Sequence, residues 1–259
     1  MKILMIGDVV GKPGRRVLKD SLPGLHEQHQ PDLTVVNAEN AAGGFGITPK
    51  IGDQILDLGV DIMTSGNHIW DQKSIYPYLD EESRLLRPAN YPKSLPGNGF
   101  VTVNSTIGIQ VAVINLQGRV FMPNTDCPFR KVERILDRIP KEVAVIIVDF
   151  HAETTSEKMA MGWFLDGRIS ALVGTHTHIP TADSRILPEG TAYITDIGMS
   201  GSYNSVIGMS KEIAINRFLS GLPGRLSPET YKPQLSSVII DVNPKSGLAT
   251  AIKWLGFTP

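Results

Sequence analysis

Lys2-Ile3-Leu4-Met5-Ile6-Gly7-Asp8 is an apolar run of four residues that stops at a glycine and an acid. A run this short reads as a buried strand. It falls well below the ~18 apolar residues of a membrane span and the roughly 7–15 of a secretory signal core. The pattern recurs at residues 33–37 and 61–65, with helical spacing over 13–29 and 48–58 between them. Alternation of strand and helix is the βαβ pattern of a mainly parallel sheet. Thr48 before Pro49 marks a helix start, with a hydroxyl at the N-cap and a proline in the first turn. Pro23 is expected to break or kink the first helix.

Further along, residues 100–105 and 110–115 flank a turn at 106–108 and predict an antiparallel hairpin. A β-branched run at 143–150, a helix at 156–165 and a strand at 170–174 return to the parallel pattern. Late strands are expected at 193–196, 236–242 and 249–254, with a helix over 211–219. So many strands with helices at intervals predict an α/β fold of two packed sheets flanked by helices. The proline- and glycine-rich stretches 92–99 and 220–233 are short enough to be surface loops, so residues 1–259 read as one domain.

Composition narrows the possible functions. The 259 residues are 41% hydrophobic, enough for an ordinary core. Twenty-five basic and 26 acidic side chains, evenly spread, leave a net charge of −1 and no electrostatic footprint for duplex nucleic acid or an anionic membrane. A small anionic substrate stays open, because the local charge of a metal does not show in composition. The single cysteine, Cys127, cannot form an intrachain disulfide, which suits a reducing compartment; the cytoplasm is expected.

The polar residues at the strand ends carry the chemistry. Asp8 follows the first strand, Glu39 and Asn40 the second, and Asn67 and His68 the third; His151 follows the 143–150 run, and His176 and His178 follow 170–174. In open α/β sheets the carboxyl ends of strands form the ligand crevice, so these groups can converge. Singly, each has a plain reading: Asp8 as a turn aspartate, Glu39-Asn40 as a loop pair or cap, Asn67-His68 as turn residues, His151 as a hydrogen-bonded structural histidine. Gly174-Thr175-His176-Thr177-His178 resists dismissal, because alternation in an extended segment would aim both imidazoles the same way. Four of the six histidines stand at these strand ends, and histidine is the commonest metal ligand, so together they point to a metal site.

Rival motifs fail. Gly7-Asp8-Val9-Val10-Gly11-Lys12-Pro13 is too short for a phosphate loop and lacks its Ser or Thr. One cysteine excludes a zinc finger, and no Gly-x-Ser-x-Gly elbow supports serine hydrolysis.

In their order, Gly7-Asp8, Glu39-Asn40, Gly66-Asn67-His68, His151 and Gly174-Thr175-His176-Thr177-His178 resemble the calcineurin-like metallophosphoesterase superfamily. The stretches Val36-Asn37-Ala38-Glu39-Asn40-Ala41-Ala42-Gly43-Gly44-Phe45-Gly46 and Thr195-Asp196-Ile197-Gly198-Met199 are similar to its bacterial YmdB-like branch. The resemblance runs over essentially the whole chain. It implies an αββα sandwich of two packed mixed β-sheets and a binuclear centre with Asp8 and His178 on one cation, Glu39 bridging, and Asn67, His151 and His176 on the other. This chain departs from most of the superfamily in having Val10 where a histidine is usual and Glu39 where an aspartate bridges. In the closer branch Asn40 fills the vacancy through its carbonyl oxygen. His68 follows a ligand directly, which leaves it free to face substrate, and in the family this histidine protonates or stabilises the leaving oxygen.

Two paired cations can lower the pKa of a bound water and clamp the attacking and leaving oxygens of an in-line displacement. Oxygen and imidazole donors without thiolate suit manganese or iron as well as zinc, and the resemblance leans to iron or manganese. It also implies a small phosphodiester substrate, a 2′,3′-cyclic or 3′,5′-cyclic nucleotide, and a homo-oligomer. A phosphomonoesterase and a regulatory RNA- or protein-binding factor that retains the site are the alternatives. No arginine stands beside the five motifs, which favours diesters over monoester dianions. Asp71 is either an orienting partner for His68 or an N-cap. Gly43-Gly44-Phe45-Gly46 is either a phosphate-binding nest or, with slightly more weight, a turn. His26, His29, Arg15 and Arg16 read as surface residues, and Met159, Met161, Trp163 and Phe164 as core or interface packing.

Overall fold

The computed structural model describes residues 1–258. In chain order these form β1 (Lys2–Ile6), β2 (Asp8–Val9), α1 (Gly11–His29), β3 (Leu33–Asn37), α2 (Pro49–Leu56), β4 (Ile62–Thr64), a 3-10 turn (Asn67–Trp70), α3 (Ile75–Glu81), β5 (Phe100–Asn104), β6 (Gln110–Gln117), α4 (Pro128–Leu136), β7 (Val145–His151), α5 (Thr155–Leu165), β8 (Ala171–Thr175), β9 (Arg185–Ile186), β10 (Ala192–Ile194), β11 (Met199–Ser202), α6 (Lys211–Ser220), β12 (Pro233–Val242) and β13 (Ala249–Thr258).

Two mixed sheets result. The first has the order β2-β11-β12-β1-β3-β4, with β13 paired to β12; β1, β3 and β4 are parallel to one another, and β12 runs antiparallel to β1. The second has the order β5-β6-β7-β8-β10-β9, with the β5–β6 hairpin at one edge and β6, β7, β8 and β10 parallel. Strand alternation explains the layering. Ile3 and Met5 of β1 point into a cluster with Val113 of β6, Ile147 of β7 and Val173 of β8, which joins the sheets face to face. Leu4 and Ile6 point the other way, onto Leu18 and Leu22 of α1 and Ile55 of α2. Val148 and Phe150 of β7 meet Val132 of α4 and Met161 and Leu165 of α5 on the far side. The order of layers is therefore helix, sheet, sheet, helix.

Pro23 does not break α1, which continues to His29. Pro23 is exposed on the outer face of the helix, where the carbonyl left without its N–H donor can be hydrated. Thr48 takes the extended N-cap conformation with Pro49 at the first position, but its hydroxyl makes no capping bond. His26 is half-buried, its Nε2 2.9 Å from Thr34 Oγ1, so it is not a free surface residue. Arg15 is also half-buried and donates to the carbonyl of Ala41, which ties α1 to the loop after β3. Of the apolar group on α5, Met161 is buried, whereas Met159 and Trp163 are exposed.

Candidate metal centre

The loops after β1, β3 and β4 and the ends of β7 and β8 meet over one edge of the two sheets. There, single donor atoms of Glu39, His151 and His176 all lie within 4.8 Å of one another. His151 Nε2 is 2.9 Å from Glu39 Oε1 and 3.0 Å from His176 Nδ1. His151 and Glu39 are fully buried. Behind the ring, His151 Nδ1 lies 2.9 Å from Thr175 Oγ1, and that hydroxyl donates to Asp149 at 2.7 Å. Asp149 also accepts from Asn37 and Thr64. This chain of bonds fixes the imidazole so that Nε2 faces the cluster, as buried carboxylates do behind metal-binding histidines. Gly66 makes the closeness possible, since a Cβ there would overlap the His151 ring and the Glu39 carboxylate.

A second group of donors lies beside the first. Asn40 donates its Nδ2 to the carbonyl of Gly44 at 3.0 Å, which turns its Oδ1 inward, 3.3 Å from His178 Nε2. His178 Nδ1 is held by the carbonyl of Ile207 at 2.8 Å. Asp8 is fully buried, its Oδ2 accepting the His176 amide at 3.3 Å and its Oδ1 3.8 Å from His151 Nδ1. The segment 176–178 is not extended, contrary to the alternation expected from the sequence. His176 has φ 97° and His178 φ 66°, so a left-handed loop splits the two rings between the two donor groups. Non-glycine residues held there cost roughly 1–3 kcal/mol each, and such strain collects at functional sites.

The residues present fit metal ions. Among the described residues, Asp8 Oδ1 and Asn67 Oδ1 are buried with no hydrogen-bond partner, and Glu39 Oε1 has only the 2.9 Å approach of His151 Nε2. Leaving a buried polar atom unpaired costs about 1–3 kcal/mol, a penalty that cations at this spot would remove. Titration tells the same story. Burial raises Asp8 well above the carboxylate range. Burial also acts to raise Glu39, but the charge of His151, with His68 and His176, holds it at about 2. His151 is pushed up to about 9 by Glu39, Asp8 and Asp149 against the effect of burial, whereas burial and the neighbouring His151 drive His176 down to about 3. Burial lowers His178 as well. Without a cation, burial and the neighbouring carboxylates favour the protonated forms of Asp8 and His151.

His68 stands at the rim on the 3-10 turn. Its Nδ1 is 2.8 Å from Asp71 Oδ2, its amide donates to Glu39 Oε2 at 3.0 Å, and Phe45 packs edge-on to its ring at 5.2 Å. Asp71 therefore orients His68 and is not an N-cap; the next helix begins at Ile75 behind Ser74. The glycine-rich stretch is a turn closed by the Ala42 amide on the carbonyl of Gly46. A cavity of about 540 Å³ opens above, with Glu39, Asn40, His68, His176 and His178 on its floor and Phe45, Ile207, Phe218 and Leu226 on its walls. Two lining residues escape a reading of the sequence. Glu153 Oε2 lies 3.1 Å from His176 Nε2, and Arg217 of α6, far from the motifs along the chain, lines the same cavity. The place of Glu153, two residues past His151, is a signal that could have found it; nothing local marks Arg217.

Named relatives of similar sequence are phosphodiesterases and phosphatases. A family model described as YmdB-like protein matches residues 4–255. The 2′,3′-cyclic-nucleotide 2′-phosphodiesterase of Bacillus subtilis (strain 168) is 49% identical over 253 residues, covering 98% of this chain and 96% of that protein. A crystal structure of a novel phosphatase from Mycoplasma pneumoniae superposes with a TM-score of 0.92 at 35% identity, covering 98% of this chain and 92% of that one. A hypothetical protein from Thermus thermophilus superposes at 0.93 with 39% identity and complete coverage of both chains. Fold and relatives define an α/β metallophosphoesterase sandwich, and the enzyme class is phosphoric ester hydrolase. The chain belongs to the YmdB-like family.

Proposed function

We propose that this chain, acting as a single domain over residues 1–259, is a binuclear transition-metal phosphodiesterase that opens 2′,3′-cyclic nucleotides at the 2′ ester. The observation that carries it is the cluster of Glu39, His151 and His176 donors, with unpaired buried oxygens beside it, on the floor of a cavity large enough for a nucleotide. Asp8, Asn40 and His178 would hold one cation, Asn67, His151 and His176 the other, and Glu39 would bridge them. The donors contain no thiolate, so iron or manganese is the first choice and zinc is compatible. Once bound, the pair supplies an activated water and neutralises charge at the phosphoryl group.

The chain's own residues do the rest. With Nδ1 fixed on Asp71, His68 presents Nε2 to the cavity and gives its proton to O2′ as the P–O2′ bond breaks. Phe45, Phe218 and Leu226 offer the nucleobase an apolar wall, and the ring of Phe45 also steadies His68. A factor that only bound RNA or protein would need no oriented acid. Among the described residues no helix is long and apolar enough to cross a membrane, and the lone cysteine fits the cytoplasm. Ile215 and Leu219 are exposed one turn apart on α6, with Leu222 exposed just past its end, a surface suited to a homo-oligomer.

Arg217 favours one second reading, because a guanidinium over the cavity also suits a monoester dianion. A panel assay of metal-reconstituted protein separates the two. Turnover of 2′,3′-cyclic nucleotides to 3′-monophosphates, with 3′,5′-cyclic nucleotides and 2′- and 3′-monophosphates compared alongside, supports the diesterase. Release of inorganic phosphate from monoesters with the cyclic substrate untouched overturns it.

A further inference from the structure

We infer that the buried pair Asp196–Lys158 is a positioning clamp that holds the His176-Thr177-His178 loop in its left-handed conformation. The inference rests on the reading that the two histidines hold metal. Asp196 sits in Thr195-Asp196-Ile197-Gly198-Met199, a stretch that the reaction itself does not use. Its Oδ2 accepts the Thr177 amide at 3.1 Å and the Thr177 hydroxyl at 2.8 Å, and its Oδ1 accepts the Gly198 amide at 2.8 Å. Thr177 is the single residue between the two positive-φ histidines, so a carboxylate gripping it from two atoms fixes the torsions on either side.

A buried carboxylate in a site that already holds Asp8, Glu39 and Asp149 needs a counter-charge, and Lys158 supplies it. Its Nζ reaches Asp196 Oδ2 at 2.7 Å, with both side chains almost completely buried. Lys158 belongs to α5 in the outer layer and passes beside Gly174, where a Cβ would overlap the carbonyl of Thr195 and crowd the lysine stem. The ligand loop, the Thr195–Met199 stretch and α5 are thereby tied at one point. A buried pair that loses one member leaves an uncompensated charge, so the informative variants change both residues together.

The test compares Asp196→Ala/Lys158→Met with Asp196→Asn/Lys158→Met, measuring the metal-free melting midpoint, manganese affinity and hydrogen exchange at the Thr177 amide. The asparagine keeps a carbonyl oxygen that can accept from Thr177, and the alanine does not. The alanine variant should bind manganese roughly 10–100-fold more weakly than wild type, the usual cost of losing a group behind a metal ligand. The asparagine variant should recover at least part of that affinity at a similar melting midpoint, with slower exchange at Thr177. Equal affinity and equal exchange in the two would overturn the clamp. Should neither double variant fold, Thr177→Val removes the hydroxyl bond and leaves the amide bond; weaker manganese binding with faster exchange at that amide is expected, and no change in either overturns the clamp. A wild-type protein that binds no manganese would fail the metal reading, and Thr177 exchange would still judge the clamp.

Discussion

Nδ1 of His176 lies 3.0 Å from Nε2 of His151, the two rings inclined at 72°. Two imidazoles this close cannot both be charged, and the site divides the burden: the surrounding carboxylates push His151 up to about 9 against burial, and burial with the neighbouring His151 pushes His176 down to about 3. A cation binding here must displace the proton on His151, and Asp8, also raised, must ionise. The metal-free protein therefore carries more protons than the loaded one over this range. Metal affinity should rise with pH by about tenfold per unit for each proton displaced, and level off above about 9. Manganese titrations between pH 6 and 10 would check this; a flat profile would contradict it.

Gly66→Ala should empty the site without unfolding the protein. The new methyl group would meet the His151 ring and the Glu39 carboxylate, so the donors must part while the sheets beneath stay packed. Elemental analysis should find the metal lost, with circular dichroism unchanged.

Glu39 should be worse to lose than Asn40, because only a carboxylate has two equivalent oxygens with which to bridge. Glu39→Gln should abolish turnover and release one or both ions. Asn40→Ala should mainly weaken the cation beside His178, since Asn40 Oδ1 faces that ring alone. Metal content of the two variants decides the matter, and a Glu39→Gln protein with both ions and near-normal turnover would refute the bridge.

His68→Ala should keep its metal and lose roughly 10²–10⁴-fold in rate on ribose-leaving diesters, the span of general acid catalysis. On bis-p-nitrophenyl phosphate the loss should be much smaller, because nitrophenolate leaves without a proton. Asp71→Asn should follow the same pattern more weakly, as it acts only through the 2.8 Å bond to His68. Equal losses on both substrates would place His68 in the metal site instead.

Much of this architecture is legible from residue order because apolar runs and the polar residues ending them are local signals. The strand at 33–37, the hairpin at 100–115 and the donors Asp8, Glu39, His151 and His176 need no knowledge of distant contacts. The rest depends on tertiary packing. β2 and β11 are two and four residues long and exist by pairing with each other and with β12, so no periodicity announces them. α3 spans only seven residues, too few for a helical period to stand out. The split of His176 from His178 follows from a backbone held by Asp196, which spacing cannot show, and Arg217 enters the cavity through the position of α6.

Anomalous diffraction from crystals of manganese- or iron-loaded protein, collected at the metal edge, tests the central claim most directly. Two peaks are expected per chain, about 3.5–4 Å apart as in other two-metal sites. One should lie among Asn67, His151 and His176, the other among Asp8, Asn40 and His178, with Glu39 between. A single fully occupied peak, or peaks away from these side chains, would contradict a binuclear centre built at the strand ends.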